Sequence, residues 1–109
     1  DHEQILQSHR LLAASDVKIA YGTDCGMFPF DHGVLEFQAM VQAGLTPVRA
    51  LQAATSIAAE LLQREDIGVL KPGAVADLVA MPRNPLDDIT ATAEVDFVMS
   101  GGIVHHRPA

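Results

Sequence analysis

Asp24 occupies the position in this chain best suited to chemistry. The run Val17-Lys18-Ile19-Ala20-Tyr21-Gly22-Thr23-Asp24-Cys25-Gly26 carries an apolar segment into a glycine turn with a single carboxylate. A parallel sheet uses this arrangement to set an acidic side chain at the C-terminal edge of a strand. A carboxylate there can coordinate Zn²⁺ and take a proton from water. It can equally cap a turn by accepting backbone N–H groups. His32, beside Gly33, could donate to a substrate carboxylate or carbonyl, or cap a helix beginning near residue 34. Gly22 reads as a point of close backbone approach or unusual angle, and Thr23 as the residue that orients the Asp24 carboxylate from behind. Cys25 reads as small buried filler, since no ordered pairing with a histidine can be argued for it. Met27, Phe28 and Phe30 are apolar residues in a loop, where they shape a pocket or pack beneath it.

The other histidines carry less. His2 and His9 lie on one helical stretch, without the spacing of a metal-binding His-Glu-x-x-His pair. His105 and His106, next to Arg107, read as solvated tail residues, with an incidental surface metal site as the sharper alternative. Asp77 interrupts an apolar run and reads as a structural residue that bonds turn amides.

The elements that must position Asp24 follow from periodicity and punctuation. Residues 3–14 predict a helix, with Ile5, Leu6, His9, Leu12 and Ala13 near a 3.6-residue period. Val17 to Tyr21, apolar but for Lys18, predicts a short buried parallel strand. A helix over 34–43 ends at Gly44. Thr46-Pro47 supplies a cap and a first-turn proline for a helix over 47–54, and Thr55-Ser56 reads as a second cap. Small residues at Ala50, Ala53, Ala54, Ala58 and Ala59 would let these helices approach closely. Beyond Asp66 the pattern turns to strands: Ala76 to Met81, Val95 to Met99, and Ile103 to His105 after a Gly101-Gly102 turn. Lys71-Pro72-Gly73 suits a type II turn. The boundary between the two patterns falls near residue 65.

One strand followed by helices is not a sheet, because a buried parallel strand needs neighbours on both edges. The first part therefore reads as the last unit of something larger. The chain opens on Asp1-His2 without an initiator methionine, as a processed chain or one whose natural start lies elsewhere would.

Composition bounds the partners. The 109 residues are 49% hydrophobic and only 5% aromatic, with no tryptophan, which suits a folded domain with an aliphatic core. Seven basic against fourteen acidic residues give a net charge of −7, so neither a nucleic-acid backbone nor an anionic membrane surface is an expected partner. The single cysteine excludes an internal disulfide framework. No apolar run approaches the roughly 20 residues that span a bilayer, and no leader pattern opens the chain. A cytoplasmic location is the expectation.

An ordered set of residues carries a resemblance: Lys18 through Asp24, His32-Gly33, Ala43-Gly44-Leu45-Thr46-Pro47, Ala50-Leu51, Ala53-Ala54-Thr55, Ala58-Ala59-Glu60-Leu61-Leu62 and Gly68 through Val79. Together they resemble the C-terminal portion of the amidohydrolase superfamily, in its prolidase-like and imidazolonepropionase-like branch. The resemblance implies an α/β fold: the last β/α unit of a (β/α)₈ TIM barrel over residues 1–65, incomplete in this chain, and the C-terminal strands of a small β-sandwich over 66–109.

It also implies a metal-dependent hydrolase of carbon–nitrogen bonds, dipeptidase- or carboxypeptidase-like, using one or two divalent ions, usually zinc. Asp24 matches the family's aspartate after the eighth strand, a metal contact that moves a proton from water to the leaving amine. His32 would be substrate-binding, with Gly22 and Thr23 supporting Asp24. The family's His-x-His pair, bridging lysine and later histidines have no counterpart among these residues, and Lys18 is not that lysine. The remainder of an amidohydrolase chain, or a companion fragment, is thus an expected partner, alongside a small amide or dipeptide substrate and self-association into a homo-oligomer. Two alternatives stand beside this: a catalytically inert C-terminal fragment serving in packing or oligomerisation, and a cyclic-amide hydrolase of the imidazolonepropionase type.

Overall fold

The computed structural model describes residues 1–23 and 33–108. Helix α1 spans His2–Ala13, and its first turn is held by Asp1, whose carboxylate accepts from the N–H groups of Glu3 at 2.7 Å and Gln4 at 3.2 Å. Helices α2 (Leu35–Gln42), α3 (Pro47–Ala54) and α4 (Ser56–Leu61) follow, then β1 (Leu78–Ala80), a 3₁₀ helix (Ile89–Glu94), β2 (Phe97–Ser100) and β3 (Ile103–His106).

Helix ends are set by the residues expected to set them. At the end of α2, Gly44 takes φ +115° and its N–H donates to the Val41 carbonyl, while Leu45 N–H reaches back to Met40. This double closure satisfies carbonyls that the helix leaves open, and it folds buried Leu45 toward buried Met40. Helix α4 ends in the same way, with Gln63 at φ 58° in the glycine position and Arg64 N–H donating to Ala59. Thr46 caps α3 by accepting from Arg49 N–H at 3.3 Å, with Pro47 opening the helix. The expected cap at Thr55-Ser56 differs. The Thr55 hydroxyl turns back to donate to Leu51 O at 2.7 Å, so it serves the preceding helix and gives α4 no side-chain cap.

Alanines let the helices close on one another. Ala50 and Ala53 of α3 are fully or almost fully buried and cluster with Ala13, Met40, Leu45 and Ile89. Ile19, Tyr21, Phe37, Val41 and Leu51 pack around this cluster. Ile89 comes from the 3₁₀ helix, so the strand-rich tail contributes a side chain to the helical core. Gly68, at φ +75°, lies so close over the start of α4 that a Cβ there would sit 2.5 Å from the Thr55 carbonyl oxygen.

The tail forms an antiparallel sheet in the order β1-β2-β3, with Val79 opposite Val98 and Met99 opposite both Leu78 and Val104. Gly101 and Gly102 both take positive φ in the β2–β3 turn, the geometry that matches strand twist. Asp77 acts as expected: its Oδ1 accepts from the Gly101 N–H at 2.8 Å. Gly73 at φ +90° and the Ala74 N–H to Lys71 O bond at 3.1 Å complete the turn expected at Lys71-Pro72-Gly73.

Val17 to Tyr21 is where expectation and structure part. The segment is not a paired strand. Among the described residues no strand runs beside it, and a strand exists only through a neighbour that takes up its backbone groups. It is instead held piecemeal: Tyr21 N–H donates to Ala53 O at 2.8 Å, and Val17 O accepts from the Arg49 guanidinium at 3.4 Å. Lys18 pairs with Glu60 at the surface.

Candidate functional site

Asp24, His32, Cys25, Met27, Phe28 and Phe30 lie outside the described residues. What the structure gives is the frame on either side of them. The incoming side is residues 17–23, and the outgoing side is Gly33 and the start of α2. Arg49 steadies the first of these, donating from Nη1 to the Ala13 carbonyl at the end of α1 at 2.6 Å and from Nη2 to Val17 O. One residue of α3 thus ties the helix before the segment to the segment itself.

Tyr21 joins the two sides. Its hydroxyl donates to the Gly33 carbonyl, and its ring lies against Phe37 of α2, centroids 4.6 Å apart at 36°. Its backbone is fixed to α3 through Ala53. Gly22 follows. Its φ is not left-handed, and no described atom would lie within 4 Å of a Cβ there. Neither a left-handed φ nor a close approach at Gly22 is seen among the described residues. Thr23 is the last described residue before Asp24.

Beneath this frame is a cavity of about 260 Å³ between α1 and α2, lined by His9, Leu12, Tyr21, Gly22, Glu36 and Met40 among others. His9 and Glu36 bring polar groups to an otherwise apolar wall. His105 and His106 stand on the exposed β3 strand, far along the chain from the candidate carboxylate. Among the described residues no group of three or more His, Cys, Asp or Glu could hold a metal ion, and His105 and His106 belong to none. A single carboxylate cannot hold zinc, and the described residues do not fit a metal centre on their own.

Sequence reasoning missed the frame's main ties. Tyr21 is the chain's only tyrosine, and a lone phenol at the end of an apolar run was the available signal. Arg49, an arginine in an alanine-rich helix, was another. Farther away, Arg83 gathers Asp88, Thr90 and Glu94, with Nε 2.6 Å from Glu94 Oε2 and Nη1 2.9 Å from Asp88 Oδ2. The Thr90 hydrogen bonds, then Arg83, hold the Asp88 carboxyl down to about 2.

Comparison with known proteins fits this frame into a family. The Amidohydrolase family profile matches residues 2–104. An imidazolonepropionase of Cutibacterium acnes is 39% identical over 79 residues, covering 66% of this chain and 19% of that protein. Aspergillus niger ochratoxinase is 35% identical over 109 residues, covering 94% of this chain and 22% of that protein. Among solved structures, a Xaa-Pro dipeptidase with methionine bound in its active site superposes with a TM-score of 0.89 at 37% identity, over 95% of this chain and 26% of that one. The chain thus spans about a fifth of these curated relatives. The described fold is mixed α/β, and no described helix is long and apolar enough to cross a membrane. The match runs through the whole of the frame around Asp24, and the chain belongs to the Amidohydrolase family.

Proposed function

We propose that these residues are the C-terminal part of an enzyme that hydrolyses a carbon–nitrogen bond, with Asp24 as its proton carrier. The observation that carries the reading is the family match over residues 2–104, a range that takes in Gly22-Thr23-Asp24 at the end of the apolar run. In this reading 1–65 belongs to the barrel and 66–109 to the sandwich. Water adds its oxygen to the amide carbon, Asp24 takes the proton released, and the same proton goes to the departing nitrogen as the C–N bond breaks. The products are a carboxylate and an amine. His32 would hold the substrate's carboxylate, and Gly22 and Thr23 would support Asp24.

A divalent metal, zinc by the family resemblance, would take its other ligands from polypeptide beyond these residues, in the same chain or a companion. A dipeptide is the favoured substrate, supported by the high superposition on a Xaa-Pro dipeptidase. A cyclic amide is the second reading, supported by the identity to imidazolonepropionases. The inert-fragment reading draws on the lack of a three-donor cluster among the described residues.

Native and denaturing mass measurement, with metal analysis of the same sample, tests the assembly. Turnover of methionyl-proline, an N-acetyl amino acid and a cyclic imidazolone then tests the chemistry. Asp24→Asn is expected to lower turnover by about 10²–10⁴-fold. A metal-free particle holding only this chain, with no turnover of any probe, favours the inert fragment.

A further inference from the structure

We infer that a cavity at the start of the segment 17–21 binds a free α-amino acid with an apolar side chain, its carboxylate on Arg49 and its ammonium on Asp16. Every residue the site uses is described, and nothing in it depends on the reading of Asp24.

This second cavity, also of about 260 Å³, opens between the turn after α1 and helices α3 and α4. Asp16, Arg49 and Gln52 give it polar groups, and Ile19, Leu45 and Ile57 give it an apolar wall. Sites for drug-sized ligands run to roughly 300–1,000 Å³. This one is smaller, and it suits a molecule the size of one amino acid rather than a peptide.

Charge narrows the ligand further. Arg49 is half-buried, and its guanidinium donates from Nη1 to Ala13 O at 2.6 Å and from Nη2 to Val17 O at 3.4 Å. Both acceptors are neutral carbonyls, and a guanidinium has N–H donors beyond these. Among the described residues no carboxylate pairs with it. The other polar groups of the lining are already engaged. The Ser15 hydroxyl donates to Leu12 O at 2.6 Å and accepts from Val17 N–H at 3.3 Å, while Lys18 pairs with Glu60. The positive charge left for a ligand is therefore that of Arg49, whose planar fork matches a carboxylate.

Asp16 supplies the opposite charge. It is exposed on the same cavity and too far from Arg49 for the two to pair. Two opposite charges that do not meet fit a ligand that carries both. The chain's net charge of −7 repels a bare anion, whereas a zwitterion brings no net charge into that field. Leu45 and Ile57 then receive the apolar side chain, and its burial adds affinity that the charges alone lack.

The test titrates leucine by calorimetry into the polypeptide that carries residues 1–109, with any chain that copurifies. Isocaproate, which lacks the ammonium, and isoamylamine, which lacks the carboxylate, are titrated beside it. Leucine is expected to bind with a Kd of about 1 mM or tighter, and each analogue about tenfold more weakly. Asp16→Asn keeps the side chain's shape and breaks no ion pair among the described residues. It is expected to weaken leucine about five- to tenfold and to leave isocaproate no weaker. Arg49→Gln is expected to remove binding of both; because Arg49 also ties α1 to the segment, Asp16→Asn decides the matter if that variant unfolds. Amide exchange with leucine bound should slow at residues 15–19 and 49–57. Absence of leucine binding at about 10 mM would overturn the inference. So would an unchanged leucine affinity in Asp16→Asn, isocaproate bound as tightly as leucine, or protection confined to other residues.

Discussion

Asp88 shows how far one exposed carboxylate can be pulled from ordinary behaviour. Two bonds from Thr90, one from its N–H at 3.0 Å and one from its hydroxyl at 2.6 Å, meet the Arg83 guanidinium on the same carboxyl group. They hold it at about 2, below its ordinary 3.8. A folded-state value below the unfolded one means that the stabilisation is fully present above about pH 4 and is lost as pH falls toward 2. The melting-temperature gap between the parent and Asp88→Asn is therefore expected to stay constant near neutral pH and close between about pH 4 and 2. A gap that persists unchanged at pH 2 would assign the effect of Asp88 to shape rather than charge. Tyr21 and Arg49 belong to the same scale: each donates to a backbone carbonyl well separated from it in sequence.

At the scale of elements, glycine placement decides what can sit where. Gly68 combines a left-handed φ with a backbone oxygen 2.5 Å from where a Cβ would go. Neither a rotamer change nor a flexible neighbour can relieve that contact. Gly68→Ala is expected to cost at least about 1–2 kcal/mol from backbone conformation alone, read as a lowered urea midpoint, whereas Gly73→Ala, where nothing lies within 4 Å, meets only the conformational cost. Equal losses at both positions would mean that the close approach to Thr55 has no energetic weight. Most element boundaries were legible because local signals fix them: Gly44, Thr46-Pro47 and the Gly101-Gly102 turn each act through neighbours within a few residues. Val17 to Tyr21 was legible as an extended apolar run but not as a strand, since pairing depends on a second segment that no local pattern contains. That Asp77 would bond turn amides was expected, but its partner was not readable, because Gly101 lies 24 residues on, in a turn that the folded sheet brings alongside. Arg83 could not be read, because its partners come together only when the loop and the 3₁₀ helix fold against each other.

The whole molecule leaves much of its apolar surface outside. Its accessible surface is 7759 Å², where a compact monomer of 11.6 kDa exposes about 5,800 Å². The stripe that made α1 legible stays largely uncovered, with Ile5 56% and Leu12 45% exposed, and Leu61, Leu62 and Leu70 are more exposed still. Among the described residues no large side chain is fully buried. Burial on this scale leaves a thin margin, so single core residues should matter. Ile89→Ala is expected to cost about 2–4 kcal/mol and to lower the signal from the helical part as well as the tail. Loss of tail signal alone would show that Ile89 does not bind the two parts together. The candidate site was legible as a carboxylate after an apolar run, while its frame was not, because Tyr21, Phe37 and Ala53 meet only through tertiary packing.

Ile89 also sets a timetable. The helical cluster it completes is made of residues from 13 to 53, which leave the ribosome well before residue 89 does. During synthesis those helices must wait with one wall of their core missing. A nascent chain arrested with residue 80 just emerged is expected to remain open to protease around α2 and α3, and one arrested after residue 100 has emerged to resist. Equal resistance at both lengths would mean that the helices finish folding without the tail.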